Sequence, residues 1–150
     1  MITTSDIFSI SGQKQFEKIA LKVFRFQYEN NLVYKKFCDL LKTDVQKVKS
    51  LQQIPFLPIQ FFKSHEVVSN TNPVQEIFIS SGTTGMITSK HLVTDVALYE
   101  ESFRKGFSEF YGTIEDYVVL ALLPSYLERE GSSLIYMVKD LIELSNQPES

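Results

Sequence analysis

At 150 residues, 43% of them hydrophobic, the chain is long enough for one compact domain with a core and too short for two ordinary ones. A formal net charge of −3 gives no electrostatic footprint for DNA or RNA, so nucleic acid is not an expected partner. Met1 to Gly12 has no basic stretch followed by an apolar run, and no apolar run approaches the roughly 20 residues that span a bilayer, so a cytoplasmic location is expected.

From Gln13 to Tyr28, the residues Phe16, Ile19, Ala20, Val23 and Phe24 recur at helical spacing, with Lys14, Lys18, Lys22 and Arg25 on other faces, and predict an amphipathic helix. Val33, Phe37, Leu40 and Leu41 form a second stripe that runs to Lys42. Cys38, the only cysteine, lies among these residues and reads as a buried thiol. Thr43 is placed to cap a short third helix carrying Val45, Val48 and Leu51. Pro55 and Pro58 forbid regular helix, so Ile54 to Phe62 is predicted to lie extended on a core.

Ser69 to Pro73 is turn material, and Glu76 to Ser80 is short, apolar and β-prone. Ser89 to Val93 reads as its partner, making a strand, loop, strand hairpin, after which Thr94 is placed to cap a helix from Asp95 to about Tyr111. That helix would bury Val96, Tyr99, Phe103, Phe107 and Phe110 and end at Gly112. Tyr117 to Leu123 is nearly all apolar and predicts a strand covered on both faces; Leu134, Met137, Val138, Leu141 and Ile142 then mark a last helix. The expected fold class is α/β: a mainly helical region over 1–53, then part of a β-sheet flanked by helices over 54–150, within a single fragment of a larger domain.

Between the hairpin strands, Ser80, Ser81, Gly82, Thr83, Thr84 and Gly85 place four hydroxyls and two glycines in six residues. Glycines let backbone N–H groups turn toward an anion, and small hydroxyls donate to phosphate oxygens that bulkier side chains would keep away. Lys90 is the nearest cation. The spacing is not that of a P-loop nucleoside triphosphatase, which needs a Gly-Lys-Ser/Thr ending and a helix directly afterwards. Read by itself, the segment is either a phosphate loop or a hairpin turn rich in turn residues.

The run Phe78 to Gly85 resembles the phosphate-binding signature of the adenylate-forming superfamily, which includes acyl-CoA synthetases and phenylacetate-CoA ligases. Thr88 to His91, Asp95, Leu98, Tyr99, Ser102 and Phe103, with the stretch Leu123 to Leu134, resemble more closely its acyl-protein synthetase (LuxE-type) branch. The resemblance spans roughly residues 54 to 138 and implies an incomplete N-terminal domain of such an enzyme.

The implied reaction is attack of a carboxylate, expected to be a fatty one, on the α-phosphate of ATP in the presence of Mg²⁺. Pyrophosphate leaves, and the acyl-adenylate passes its acyl group to a thiol. By position in the motif, Ser80, Ser81, Thr83 and Thr84 would be phosphate donors, Gly82 and Gly85 backbone enablers, and Lys90 a charge partner. The more familiar ligases have Pro-Lys soon after the last loop glycine, whereas four residues precede Lys90 here.

His91 would either orient a phosphate or point from a strand into solvent, and Pro124, Ser125 and Tyr126 would line the acyl or nucleotide pocket. Arg129 would serve that pocket or pair with Glu128 and Glu130 at the surface. No catalytic residue or metal-ligand set is assigned. The adenine-binding segment, the ribose-binding acid and the catalytic lysine of the family are not located, so this chain alone is expected to be inactive. An acyl-acceptor or reductase protein is an expected partner, and exposed apolar edges predict a homodimer. The competing reading is a non-catalytic interaction module of a multi-subunit acyl-processing complex.

Overall fold

The computed structural model describes residues 2–69, 72–80, 87–123 and 131–150. The chain divides into two compact units, Met1–Pro73 and Val74–Ser150.

In the first unit, α1 (Thr4–Phe8) is closed by a capping box between Thr3 and Asp6. The two main helices are α2 (Gln13–Asn30) and α3 (Leu32–Leu40). The break between them is made by Asn31, whose side chain accepts from the Tyr34 N–H at 3.0 Å and so caps α3. Phe24, Tyr34, Cys38 and Val48 form the core, with Leu21, Phe37, Ile54 and Leu57 packed around them. The Phe24 ring meets Tyr34 edge-on at 6.2 Å, and the Tyr34 hydroxyl donates to the Pro55 carbonyl at 2.6 Å, tying the proline segment to the helices. Burial pushes the Cys38 thiol above its usual range, as expected for an inert cysteine.

Three local expectations need correction here. On α3 the buried face carries Tyr34 and Cys38, while Leu40 is 84% exposed and Leu41 also faces solvent. An amphipathic stripe defines an arc, and the partner element decides which part of that arc is covered. The third helix is replaced by two 3₁₀ turns, Val45–Lys47 and Leu51–Gln53, and the first is capped by Asp44, not Thr43. Lys42 takes the left-handed conformation (φ 55°), so that the Thr43 N–H donates back to the Cys38 carbonyl and is spent closing α3. The segment Ile54 to Phe62 is not extended throughout, because Phe61 and Phe62 open α4 (Phe61–Ser64), and within it Ile54 and Leu57 pack inward while Phe56 and Ile59 are exposed.

In the second unit, β1 (Glu76–Ile79) and β2 (Lys90–Val93) pair antiparallel, with Phe78 opposite His91 and Ile79 opposite Lys90, as the hairpin reading required. α5 (Val96–Tyr111) is capped by Asp95, one residue later than expected, and ends at Gly112 with φ 88°. α6 (Ser133–Ser145) is capped by Ser132 and ends on left-handed Asn146. Both helices cover one face of the hairpin: Phe78 lies 4.9 Å from the Tyr99 ring and 5.6 Å from that of Tyr136. The molecule thus joins a helical first unit to a small two-stranded sheet with helices packed on it, consistent with part of an α/β domain.

Residues 117–123 are not a strand covered on both faces. They lie outside helix and sheet, and Leu122 is 97% exposed. A strand needs a neighbour to take its backbone hydrogen bonds, and the described sheet offers this segment none. Phe110, expected inside, is 83% exposed, and Leu134 is also exposed, because α6 turns Ile135, Leu141 and Ser145 inward.

A polar network crosses from α5 to α6. Arg104 pairs with Asp140 through Nε and Nη2, with Nε to Oδ2 at 2.9 Å, and Nη2 also pairs with Glu100 at 3.2 Å. The Tyr136 hydroxyl donates to Glu100 at 2.6 Å, and that bond to a carboxylate raises the phenol from 10.0 to about 12. The folded state therefore holds this proton more tightly than the unfolded chain. Its stabilisation is complete below pH 10 and lost as pH rises towards 12. Urea titrations across that window should show a decline in stability that is smaller in Tyr136→Phe.

Candidate functional site

The hydroxyl-rich loop leaves the sheet at the end of β1, and the backbone there is held from both sides. On the β2 side, the Ser80 N–H donates to the Ser89 carbonyl at 3.0 Å, and the Ser89 N–H donates to Ser80 Oγ at 2.9 Å. On the other side, the Ile79 N–H donates to the Gly131 carbonyl at 2.7 Å. This pair of serines forms a clasp at the mouth of the loop, and Gly131 braces the strand that feeds it.

The local sequence accounts for both devices. A serine after a β-strand can close a loop through backbone and side chain together, because its hydroxyl offers lone pairs as well as a proton. Accepting from Ser89 uses a lone pair and leaves the Ser80 hydroxyl proton for donation elsewhere. Gly131 has φ 82°, and a Cβ there would lie 3.0 Å from the Ile77 carbonyl oxygen and 3.2 Å from Ile79 Cγ1. Only a residue without a side chain combines that conformation with that approach.

Among the sequence-predicted site residues, Ser80, Lys90 and His91 fall within the described residues. Ser81, Gly82, Thr83, Thr84 and Gly85 of the loop lie outside them, as do Pro124, Ser125, Tyr126 and Arg129. Lys90 and His91 are both exposed, and strand alternation sends them to opposite faces of the hairpin. Lys90 shares the face of Ile77 and Ile79, whereas His91 shares that of Phe78. The structure does not bring these two side chains together. Gly131, missed as a site residue, had one signal: a glycine between a charged run and a serine helix cap. Ser89, also missed, had the symmetry of serines at both ends of the loop.

The family model for acyl-protein synthetase, LuxE, matches residues 1–105, which include the hairpin and its loop. The chain belongs to this family. Over 75 residues the LuxE-family chain is 32% identical to a long-chain-fatty-acid–luciferin-component ligase of Photorhabdus luminescens. The alignment covers 49% of the chain and 64% of that relative. No solved structure matches it significantly. Among the described residues, no helix of the LuxE-family chain is long and apolar enough to cross a membrane.

Proposed function

We propose that the protein containing this chain activates a fatty carboxylate with ATP, forming an acyl-adenylate and passing the acyl group to a thiol, and that the 80–85 loop grips the nucleotide's phosphates. The observation that carries this reading is the clasped hairpin: a loop of hydroxyls and glycines held at its mouth by Ser80, Ser89 and Gly131 in a member of the acyl-protein synthetases. The relative's name adds the substrate class, a long-chain fatty acid.

Small donors suit a triphosphate, because they can come close to its oxygens as charge develops on the departing pyrophosphate. The donor set fits: Ser80 keeps its proton to donate, and the loop adds Ser81, Thr83 and Thr84 with two glycines. Mg²⁺ would travel with the phosphates and neutralise the charge between them. It prefers phosphate oxygens and water to an all-protein cage. Lys90 is retained as a charge partner at the foot of β2, where it is exposed. His91, on the other face, has no assigned role.

The test is fatty-acid-dependent exchange of labelled pyrophosphate into ATP by the longest protein that contains this chain. Wild-type protein is expected to exchange, and Thr83→Ala/Thr84→Ala to lose at least tenfold in rate, since hydrogen bonds to charged groups contribute about 1.5–3 kcal/mol each. Exchange unaffected by the double substitution would remove the loop from the phosphate site. Absence of exchange in the wild type would favour the interaction-module reading.

A further inference from the structure

The net charge of −3 conceals a strong asymmetry. Residues 1–73 carry ten Lys or Arg against six Asp or Glu, and residues 74–150 carry five against twelve. In the first unit the excess is concentrated in one place. Lys14, Lys18, Lys22 and Arg25 recur along α2 at intervals of four, four and three residues, within an arc of about 80° and over roughly 16 Å of helix. Lys49, after the first 3₁₀ turn, supplies the opposite wall of an open groove of about 540 Å³.

Among the described residues none of these five cations forms an ion pair. Arg25 instead donates to the Leu21 and Val48 carbonyls at 3.3 and 3.4 Å, which pins the two walls together. Glu17, the groove's carboxylate, accepts from the Leu51 N–H at 3.4 Å. Aligned like charges repel one another, so a row of cations gains most when carboxylates are laid along it.

We propose that this groove docks an acidic α-helix of a partner protein. The cation spacing is that of a helix face, so a second helix lying along α2 meets it with carboxylates at the same rise. The half-buried Leu21 and the lysine stems give the floor an apolar component. A lipid surface fits less well. Binding in a membrane interface pairs basic residues with a broad apolar face, yet the exposed rings of α2, Phe16 and Phe26, lie about 160° and 80° around the helix from the middle of the basic arc and form no continuous stripe.

The test uses the whole 150-residue chain and a synthetic amphipathic helical peptide with glutamates every three to four residues, followed by amide NMR shifts. Binding is expected with shifts along Lys14 to Arg25 and at Val48 and Lys49, and should vanish near 1 M salt, where the screening length is about 3 Å. Lys18→Glu/Lys22→Glu should weaken it at least tenfold and Lys18→Gln/Lys22→Gln by less. Both variants should keep the wild-type circular dichroism, because these side chains are exposed. Lys36→Glu/Lys63→Glu, exposed elsewhere in the same unit, should leave binding unchanged. A peptide with lysine for glutamate should bind the charge-reversed variant and not the wild type.

The proposal is overturned if the peptide produces no localised shifts, or if the control substitutions weaken binding equally. It is also overturned if phosphatidylglycerol vesicles bind the groove where the peptide does not. Salt-sensitive self-association in sedimentation equilibrium, lost in Lys18→Glu/Lys22→Glu, would assign the groove to a second copy instead.

Discussion

Phe24→Ala should lose about 3–5 kcal/mol, enough to leave the first unit largely unfolded, given that whole domains are stable by only about 5–15 kcal/mol. Phe24 is 3% exposed and sits where α2, α3 and the segment after the first 3₁₀ turn converge, touching the Tyr34, Cys38 and Val48 cluster. Removing the ring forfeits its transfer from water and leaves a cavity bordered by Tyr34, whose hydroxyl is tied to Pro55 and restrains collapse into the space. Cys38, fully buried in the same cluster, reports the result. A thiol reagent should modify it readily in Phe24→Ala and slowly in the wild type. Phe16→Ala is the contrast, since Phe16 is 46% exposed on the same helix and should cost no more than about 0.5 kcal/mol. Equal urea midpoints for the two variants would refute the packing described.

Gly131→Val is expected to destabilise the second unit by roughly 2–4 kcal/mol. A left-handed conformation at a side-chain-bearing residue costs about 1–2 kcal/mol, and displacing the strand or the turn to relieve the contact with the Ile77 carbonyl breaks the Ile79 to Gly131 hydrogen bond, worth about 1 kcal/mol more. Hydrogen exchange locates the effect: the Ile79 amide should exchange faster, together with that of Ser80 at the mouth of the loop. Gly106→Ala serves as the opposite case. Gly106 lies within α5 with nothing within 4 Å of an added Cβ, so alanine should stabilise by up to about 1 kcal/mol. If both glycines respond alike, the brace on β1 is not where the structure puts it.

Much of this was readable in advance where the physics is local. The hairpin, the long α2 and the stop of α5 at Gly112 follow from alternation, periodicity and glycine's freedom at positive φ, which neighbours along the chain settle among themselves. The caps fall one residue beyond Thr43 and Thr94, because in each case the aspartate that follows the threonine accepts from the helix N–H groups. The apolar run 117–123 departs from its pattern for another reason: apolar composition favours burial, and only a paired neighbour makes a strand.

What the sequence by itself determined, then, is the kind of element at most positions, the motif at 80–85, and, through that motif together with the stretches that follow it, the acyl-protein synthetase family. Tertiary structure decided which side of each stripe is inside, as with Tyr34 and Cys38 in place of Leu40 and Leu41. It also decided that Ser89 and Gly131 flank the loop, that Lys90 and His91 part company, and that Lys49 completes a basic groove begun on α2. The division has a physical cause. Caps, turns and periodicity involve residues within about four positions of one another, whereas Ile79 and Gly131 are brought together only once α5 and α6 have packed on the hairpin.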